Sequence, residues 1–197
     1  MVRAVFLDRD GVINRKAPEG RYVTRWAEVK FLPGAAEAVK RIHEAGFEVI
    51  VVSNQRAVAK GLISKTELEF LHVQMWQELF RGEKGFDAVY YCPHDSHPPC
   101  RCRKPQPGML LRAAQDRGID LAASWMVGDS ESDVLAGRNA GCRTIRIGSP
   151  DTDCSTAADE LAKSLVQAVN VILAAESLDT SRDSSKSSNV SLASTSN

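Results

Sequence analysis

The sequence predicts an α/β fold of the Rossmann-like type, in which a parallel β-sheet is covered by helices on both faces. Three observations carry this prediction. Short apolar runs rich in β-branched residues alternate along the chain with amphipathic segments, which is the order of a βαβ protein. The apolar runs are nearly continuous, as expected of strands that are buried on both faces. Glycines and a capping serine stand where the amphipathic segments begin or end.

Two strands and two helices are predicted in the first half of the chain. The strands cover residues 3–8 and 47–53, and the second of them reads Phe-Glu-Val-Ile-Val-Val-Ser. Between them, the apolar spacing predicts an amphipathic helix over 34–46. A second helix begins at Ser64, which forms a capping box with Glu67.

The second half of the chain repeats the alternation. Predicted strands cover 87–91, 124–128 and 143–147, and predicted helices cover 107–117, 132–140 and 157–175. Because parallel strands end at the same edge of a sheet, ligands of such folds bind beyond the carboxyl ends of the strands. The residues that follow each strand are therefore the candidates for function.

The chain is long enough for one domain with a substantial core. It has 197 residues, 43% of them hydrophobic, and its C-terminal segment is rich in serine. We expect the folded domain to cover residues 1–176 and residues 177–197 to form a disordered tail. The reason is that the tail holds too little apolar surface to offset the entropy of ordering it.

Charge and hydropathy exclude several classes of protein. The 25 lysines and arginines balance 25 aspartates and glutamates, so the chain lacks the net positive charge that drives non-specific nucleic-acid binding. No apolar run reaches the roughly 18–20 residues that cross a bilayer, and no signal peptide is visible. We expect a cytoplasmic protein whose partner is neither nucleic acid nor membrane. No exposed apolar stripe is evident, so we expect a monomer.

Acidic and polar side chains follow the predicted strands at the edge where a ligand would bind. Asp8 and Asp10 end the first strand, Ser53 ends the second and Asp129 follows the fourth, while Lys104 precedes a helix. Because residues two apart on an extended chain project to the same side, we expect Asp8 and Asp10 to face the site and Arg9 to point away from it. Three gathered carboxylates repel one another unless a cation lies between them, and oxygen ligands of this charge suit Mg²⁺.

These groups together favour phosphoryl transfer to a carboxylate. Asp8 would attack phosphorus, and Asp10 would protonate the leaving alkoxide and later deprotonate the hydrolytic water. Lys104 and the Ser53 hydroxyl would bind the phosphoryl oxygens. An Asp-x-Asp pair alone occurs in ordinary turns, so the prediction depends on all these groups falling at strand ends.

Three of the five cysteines lie within eleven residues and indicate a metal site. Cys92 and His94, together with Cys100 and Cys102, form a Cys-x-His…Cys-x-Cys set. Three sulfurs and one imidazole suit tetrahedral Zn²⁺, and four protein ligands leave no open position, so we predict a structural zinc. His97 is the alternative imidazole.

The motifs resemble those of the haloacid dehalogenase (HAD) superfamily of phosphatases, in its short-capped branch of histidinol phosphatases and heptose-bisphosphate phosphatases. The resemblance covers residues 3–148. The sequence Asp-Arg-Asp-Gly-Val-Ile-Asn at 8–14 is similar to the first motif, Ser-Asn-Gln at 53–55 to the second, Lys104 to the third and Gly-Asp-Ser-Glu-Ser-Asp at 128–133 to the fourth. It implies a HAD-like core with a minimal cap and a zinc-stabilised loop.

The resemblance also implies roles for individual residues. Asp8 is the nucleophile, and Asp10 is the acid/base, which binds Mg²⁺ through its backbone carbonyl. Asp129 is a further Mg²⁺ ligand, and Asp133 is a nearby or water-mediated contributor. The implied substrate-binding residues are Arg21, Tyr22, Ser53, Asn54, Gln55, Arg103 and Lys104. Of these, Arg103 is expected to bind the second phosphate of a bisphosphate.

Within this branch, the resemblance favours removal of the 7-phosphate from D-glycero-D-manno-heptose 1,7-bisphosphate, an intermediate in the synthesis of lipopolysaccharide and related glycans. Histidinol phosphate or another small sugar phosphate is the alternative substrate. Two other classes stay open. A phosphate-accepting receiver domain would carry its acceptor aspartate after the third strand, and a zinc-knuckle nucleic-acid module would need a basic face.

Departures from the family pattern bear on the substrate. Arg56 and Ala57 stand where relatives often have Ser-Gly, and we expect Arg56 to bring a bulky cation near the phosphate site. Ser130 stands where several relatives carry a lysine or arginine. The loop over 15–21 is more basic than the family pattern, and we expect it to be solvated.

Overall fold

The computed structural model describes residues 1–148 and 156–188, with side chains described as far as Leu178. Its centre is a sheet of six strands. These are β1 (Ala4–Leu7), β2 (Glu48–Asn54), β3 (Ala88–Cys92), β4 (Trp125–Gly128), β5 (Arg143–Ile147) and β6 (Glu160–Ala162). The strands lie in the order β3-β2-β1-β4-β5-β6, and every neighbouring pair is parallel. The predicted fold class is confirmed.

Helices cover both faces of this sheet. They are α1 (Ala35–Glu44), α2 (Arg56–Ala59), α3 (Lys65–Phe80), α4 (Gly108–Arg117), α5 (Glu131–Ala140) and α6 (Leu165–Ser188), and a short 3-10 turn spans Trp26–Glu28. Successive residues of a strand point to opposite faces. In β1, Val5 and Leu7 therefore pack with α1, α3 and α6, whereas Ala4 and Phe6 pack with α4 and α5.

The predicted helix signals are present as hydrogen bonds. The Ser64 hydroxyl accepts a bond of 3.1 Å from the Glu67 amide, and the Glu67 carboxylate accepts one of 2.8 Å from the Ser64 amide. Such a reciprocal box satisfies two of the amides that an α-helix leaves unpaired at its start, which stabilises the helix by about 1 kcal/mol. The start of α3 is thus set locally by sequence.

The last predicted helix was wrong at its beginning. Residues 157–164 do not continue α6; Glu160–Ala162 form the edge strand β6 instead. The carboxylate of Asp159 accepts bonds of 2.8 and 2.7 Å from the amide and hydroxyl of Thr144, and this attaches the segment to β5. The local sequence favours a helix, but pairing with a neighbouring strand decides the conformation.

Helix α6 continues beyond the predicted domain boundary at residue 176. It runs to Ser188, so residues 177–188 have helical backbone rather than the irregular conformation expected of a tail. Residues 189–197 lie outside the described residues, as does Cys154. The division into a domain and a tail stays a prediction.

Two surface features also differ from expectation. The four-residue helix α2 was not predicted. An apolar stripe, absent from the sequence-based prediction, runs along α3, where Phe70, Val73 and Trp76 are 63%, 44% and 48% exposed. Within residues 1–148 and 156–188, no helix combines the length and apolar character that crossing a bilayer requires.

Candidate active site

A cleft of about 390 Å³ opens at the carboxyl edge of the sheet. It contains every residue that the sequence predicted for catalysis, magnesium binding or substrate binding: Asp8, Asp10, Arg21, Tyr22, Ser53, Asn54, Gln55, Arg103, Lys104 and Asp129. Lys16, Ser130 and Asp133 are among the further lining residues. Residues that are far apart in sequence therefore share one cavity.

The strand order explains where the cleft lies. From β1 the chain continues to β2 on one side, and it later returns to β4 on the other side. Such a reversal of strand order creates a crevice beyond the strand ends. Asp8 leaves β1 there, and its amide donates a 3.0 Å bond to the carbonyl of Val127 in β4. This contact brings the chain after β1 beside Asp129.

Lys104 joins two buried carboxylates in the floor of the cleft. Its Nζ lies 2.8 Å from Asp8 Oδ1 and 2.6 Å from Asp133 Oδ1, and it donates a third contact of 2.8 Å to the carbonyl of Val52. Burial raises the pKa of Asp8 to about 7, against the attraction of Lys104, and the charge of Asp133 adds to the rise. The two carboxylates raise the pKa of Lys104 despite its burial.

The carboxylates of Asp8, Asp129 and Asp133 fit a hard divalent cation. One oxygen from each lies within 4.8 Å of the others. Asp129 Oδ1 is buried without a hydrogen-bond partner, and burial raises the pKa of this carboxyl group. A cation among these oxygens would satisfy the unpaired atom and offset the cost of burying like charges. The side chain of Asp10 is not part of this group.

Two glycines allow the acidic residues to approach the backbone closely. Gly11 has φ +94°, and a Cβ there would lie 2.2 Å from Asp129 Oδ2. A Cβ at Gly128 would lie 2.1 Å from the Cβ of Asp133. Any larger residue at these positions would displace an aspartate.

Asp10 is held by a separate set of donors. Arg9 Nη2 lies 2.8 Å from its Oδ2, Asn14 Nδ2 lies 2.8 Å from its Oδ1, and Gln55 Nε2 lies 3.2 Å from its Oδ2. Burial would raise the pKa of Asp10, but the charge of Arg9 and these hydrogen bonds outweigh it and lower the pKa. The prediction that Arg9 points away from the site was wrong, because its guanidinium folds back onto Asp10.

The carboxyl end of β2 and the residue that follows it form the opposite wall. Asn54 makes reciprocal bonds with the main chain of Lys104: its Nδ2 donates to the carbonyl at 3.1 Å, and its Oδ1 accepts from the amide at 3.0 Å. Gln55 Nε2 donates to Ser53 Oγ at 2.7 Å. In this arrangement Asn54 places Lys104, and Gln55 connects Ser53 with Asp10.

The basic loop over 15–21, which apart from the implied substrate-binding residue Arg21 was expected to be merely solvated, borders the cleft. Lys16 Nζ lies 2.8 Å from Asp129 Oδ2, and Arg21 lines the cleft. Arg56, by contrast, does not line it: its Nε lies 2.6 Å from Asp95 Oδ1. The bulky cation expected near the phosphate site thus points to the loop after β3.

Cys92, His94, Cys100 and Cys102 converge as predicted, and His97 is not part of the cluster. The three Sγ atoms lie 3.3–3.6 Å apart, and His94 Nδ1 lies 3.2 Å from Cys102 Sγ. These separations are far longer than a disulfide bond and close to the edge of about 3.7 Å expected for a tetrahedron with metal–sulfur bonds of about 2.3 Å. The cluster can hold a metal ion, and Arg103 beside it donates to the carbonyl of His94 at 3.3 Å.

Three residues of the site were missed from sequence. Arg9 and Asn14 lie inside the first motif, and Lys16 follows it. The signal for Asn14 was its place in the motif; Asn14 is fully buried, which a single sequence does not show. Arg9 and Lys16 resemble ordinary surface cations in sequence, and only the fold reveals their partners.

Comparisons with known proteins agree with this geometry. The HAD-hydrolase-like family model matches residues 101–170. The chain is 37% identical over 188 residues to the D-glycero-β-D-manno-heptose-1,7-bisphosphate 7-phosphatase of Yersinia pestis, covering 88% of this chain and 96% of that protein. It is 38% identical over 177 residues to the protein of that name from Escherichia coli K12, covering 83% and 90%.

Solved structures show the same relationship. The D,D-heptose 1,7-bisphosphate phosphatase of B. bronchiseptica, crystallised with magnesium and phosphate, superposes with a TM-score of 0.79 at 30% identity, covering 87% of this chain and 98% of that chain. The corresponding phosphatase of Burkholderia thailandensis gives 0.63 at 26% identity, covering 87% and 98%. The chain belongs to the HAD superfamily of hydrolases and, within it, to the family of the heptose-1,7-bisphosphate 7-phosphatases.

Proposed function

We propose that this protein is a Mg²⁺-dependent phosphatase that works through an aspartyl-phosphate on Asp8. The observation that carries the proposal is the cleft in which Asp8, Lys104 and the oxygens of Asp129 and Asp133 lie together at the switch point of a parallel sheet. Its relative from B. bronchiseptica was crystallised with magnesium and phosphate. Carboxylates alone would repel a phosphate; a lysine and a cation site make its binding favourable.

Each residue has a distinct task in this reaction. Asp8 attacks phosphorus as the bond to the sugar oxygen breaks, and Asp10 donates its proton to that oxygen. Asp10 then removes a proton from the water that hydrolyses the aspartyl-phosphate. Lys104, Ser53, Asn54 and Gln55 form or organise the wall that faces the phosphoryl oxygens.

Mg²⁺ would be held by the side chains of Asp8 and Asp129 and the backbone carbonyl of Asp10, with Asp133 nearby. When bound, it would neutralise charge on the carboxylates and the phosphoryl group. Burial opposes ionisation of Asp10, but the charge of Arg9 and the hydrogen bonds lower its pKa and so favour the ionised form, which is the form that accepts a proton in the second step.

The substrate we propose is D-glycero-D-manno-heptose 1,7-bisphosphate, from which the 7-phosphate is removed. Relatives of 36–38% identity carry that activity in their names. Arg21, Tyr22 and Arg103 line the outer part of the cleft, where they could contact the sugar and its second phosphate. Histidinol phosphate is the alternative substrate, and it has no second phosphate for Arg21 or Arg103 to bind.

The metal of the cysteine cluster is proposed to be a structural zinc. Three thiolates and one imidazole match zinc, and the closed set leaves no place for substrate. Through Arg103 and the chain leading to Lys104, this loop would support the phosphate-binding wall.

The remaining properties follow from the same chemistry. A cytoplasmic location suits unpaired thiols and a phosphorylated sugar as the small-molecule partner. We propose a monomer with a catalytic domain over 1–176 and an accessory tail over 177–197. Light scattering of the purified protein tests this point, because the exposed apolar stripe on α3 was not expected of a monomer.

Phosphate release tests the activity and the substrate together. The purified protein with Mg²⁺ is assayed on both anomers of the heptose bisphosphate, on histidinol phosphate and on fructose 1,6-bisphosphate. We expect the highest kcat/KM on one heptose anomer and no turnover without Mg²⁺. Preference for histidinol phosphate would replace the proposed substrate, and a lack of turnover on all four would contradict the substrate class.

A further inference from the structure

A buried guanidinium connects Asp10 to helix α3. Arg9 is 1% exposed, although arginine is among the residue types least often buried. Its Nη2 lies 3.1 and 2.8 Å from Asp10 Oδ1 and Oδ2, and its Nε lies 3.1 Å from Oδ2. A fork of donors on a carboxylate fixes the plane of the group as well as its position.

The remaining nitrogen of the guanidinium points to His72. Arg9 Nη1 lies 3.3 Å from His72 Nε2. Because an arginine only donates hydrogen bonds, Nε2 accepts, and the imidazole is neutral with its proton on Nδ1. Burial lowers the pKa of His72 to about 3, and the charge of Arg9 acts in the same direction. The acceptor is therefore available at the pH at which a cytoplasmic enzyme works.

His72 is in turn fixed by regular structure. Its ring packs against that of Tyr91 in β3, with centroids 5.9 Å apart. The Tyr91 hydroxyl donates a 2.7 Å bond to Glu69, which lies three residues before His72 on α3. The residues that support Arg9 thus belong to a helix and a strand, which hold a side chain more precisely than a loop does.

We propose that Arg9 and His72 are positioning residues for the proton transfer: Arg9 orients the Asp10 carboxyl group toward the leaving oxygen, and His72 holds the Arg9 guanidinium. The inference rests on the proposed function, since it needs Asp10 as the proton donor. In that step the bond from Asp8 to phosphorus forms, the bond from phosphorus to the sugar oxygen breaks, and the proton of Asp10 moves to that oxygen. Arg9 and His72 exchange no proton.

Two substrates with different leaving groups distinguish this positioning role from a purely structural one. A sugar alkoxide must be protonated as it leaves, whereas p-nitrophenolate leaves as a stabilised anion. The ratio kcat/KM reports the steps up to the departure of the leaving group, so it isolates this proton transfer from the later hydrolysis. A misplaced Asp10 should therefore lower kcat/KM for the sugar phosphate and leave kcat/KM for p-nitrophenyl phosphate nearly unchanged.

Three variants test the inference. General acid catalysis contributes roughly 10²–10⁴-fold, so Arg9→Lys is expected to lower kcat/KM for the sugar phosphate by about 10- to 100-fold. His72→Phe, which removes the acceptor and keeps a ring, should lower it about three- to tenfold. His72→Gln keeps an acceptor oxygen and should restore most of the activity. For p-nitrophenyl phosphate, all three should stay within about threefold of the wild type.

His43→Phe is the matched control. His43 on α1 is also largely buried and pairs with Asp87 at 2.8 Å, but it lies outside the cleft. Its loss should lower thermal stability and leave the ratio between the two substrates unchanged. If His72→Phe does not fold, Arg9→Lys, which keeps the charge, decides the outcome.

Asp10→Asn distinguishes failure of the inference from failure of the proposed function. Selective loss on the sugar phosphate in Asp10→Asn, without such selectivity in the Arg9 and His72 variants, overturns the inference alone. Equal losses on both substrates in Asp10→Asn overturn the assignment of Asp10 as proton donor, and the inference falls with it.

Discussion

Lys104 and Asp8 form a buried ion pair at the centre of the active site, with Nζ 2.8 Å from Oδ1. Lys104 is only 4% exposed and also contacts Asp133 at 2.6 Å. Breaking a buried pair leaves an uncompensated charge, which costs far more than losing an exposed one. The lysine that is proposed to bind phosphate therefore also holds the two carboxylates together.

Lys104→Met is expected to remove activity and destabilise the metal-free protein. We expect kcat/KM to fall at least about 100-fold, as it does when one preorganised hydrogen-bond donor to a developing charge is removed. Because the like charges of Asp8 and Asp133 then lack a counter-charge, the free energy of unfolding of the variant should be about 3–5 kcal/mol lower than that of the wild type. Mg²⁺ should raise the Tm of the variant more than that of the wild type, because the cation replaces the missing charge.

Lys84→Met provides the control for this prediction. Lys84 is exposed and lies 3.4 Å from Asp87, so its loss should change stability by less than about 1 kcal/mol and leave turnover intact. Phosphate release and thermal unfolding with and without Mg²⁺ measure both effects. Equal stability of Lys104→Met and the wild type in the absence of Mg²⁺ would contradict the role given to the ion pair.

The parallel sheet could be predicted because its signals are local. A continuous apolar run marks β1, a run of β-branched residues marks β2, and the capping box at Ser64 marks the start of α3. The strand β6 could not be predicted, because its three residues carry no pattern of their own and form a strand by pairing with β5. Long-range pairing decides such short segments.

The same difference between local and long-range signals decides which residues of the site could be predicted. Asp8, Asp129 and Lys104 could be found since their residue types and their places at strand ends already indicate chemistry. The contact between Arg9 and His72 could not, because the two residues lie 63 positions apart in sequence. Burial of a charged side chain is a property of the fold, and one sequence does not reveal it.

Lys16→Met is expected to tighten Mg²⁺ binding. Lys16 Nζ lies 2.8 Å from Asp129 Oδ2, so its positive charge lies against a carboxylate that would hold the cation and opposes Mg²⁺ binding there. The Mg²⁺ concentration for half-maximal activity should fall several-fold. Lys60→Met, outside the cleft, should leave it unchanged. A rise in the required Mg²⁺ would show that Lys16 supports the cation rather than competing with it.

Asp8→Asn should abolish turnover without loss of the fold. An amide cannot attack phosphorus to form the covalent intermediate. Since burial raises the pKa of Asp8 to about 7, the carboxylate form is costly in the metal-free protein, and the neutral amide should unfold at an equal or higher Tm near pH 8. Circular dichroism and metal analysis check the fold and the cysteine cluster. Measurable turnover by this variant would exclude Asp8 as the nucleophile.

Cys102→Ala should lose the bound metal. Cys102 Sγ lies within 3.4 Å of both other thiols of the cluster, so its removal opens the ligand set. We expect about one zinc per chain in the wild type, little in Cys102→Ala, and a lower Tm with weaker substrate binding in the variant. Cys142→Ala also removes a thiol, from a buried position outside the cluster, and should keep the metal. Equal zinc contents in both variants would contradict the ligand assignment.

His72 should make the protein sensitive to mild acid. Its pKa is about 3 in the folded protein, against 6.5 for an unperturbed histidine, so the unfolded state binds more protons between these values. The stability that comes from the neutral imidazole is therefore complete above pH 6.5 and is lost as the pH falls toward 3. The loss is up to about 1.4 kcal/mol per pH unit, or about 2 kcal/mol at pH 5.

Urea unfolding at pH 7.5 and pH 5 measures this loss: the wild type should lose more stability than His72→Gln by that amount. His97→Gln, at an exposed histidine, should follow the wild type. Parallel losses in the wild type and His72→Gln would mean that His72 does not stay neutral in the folded protein, and the acceptor proposed for Arg9 would then be absent.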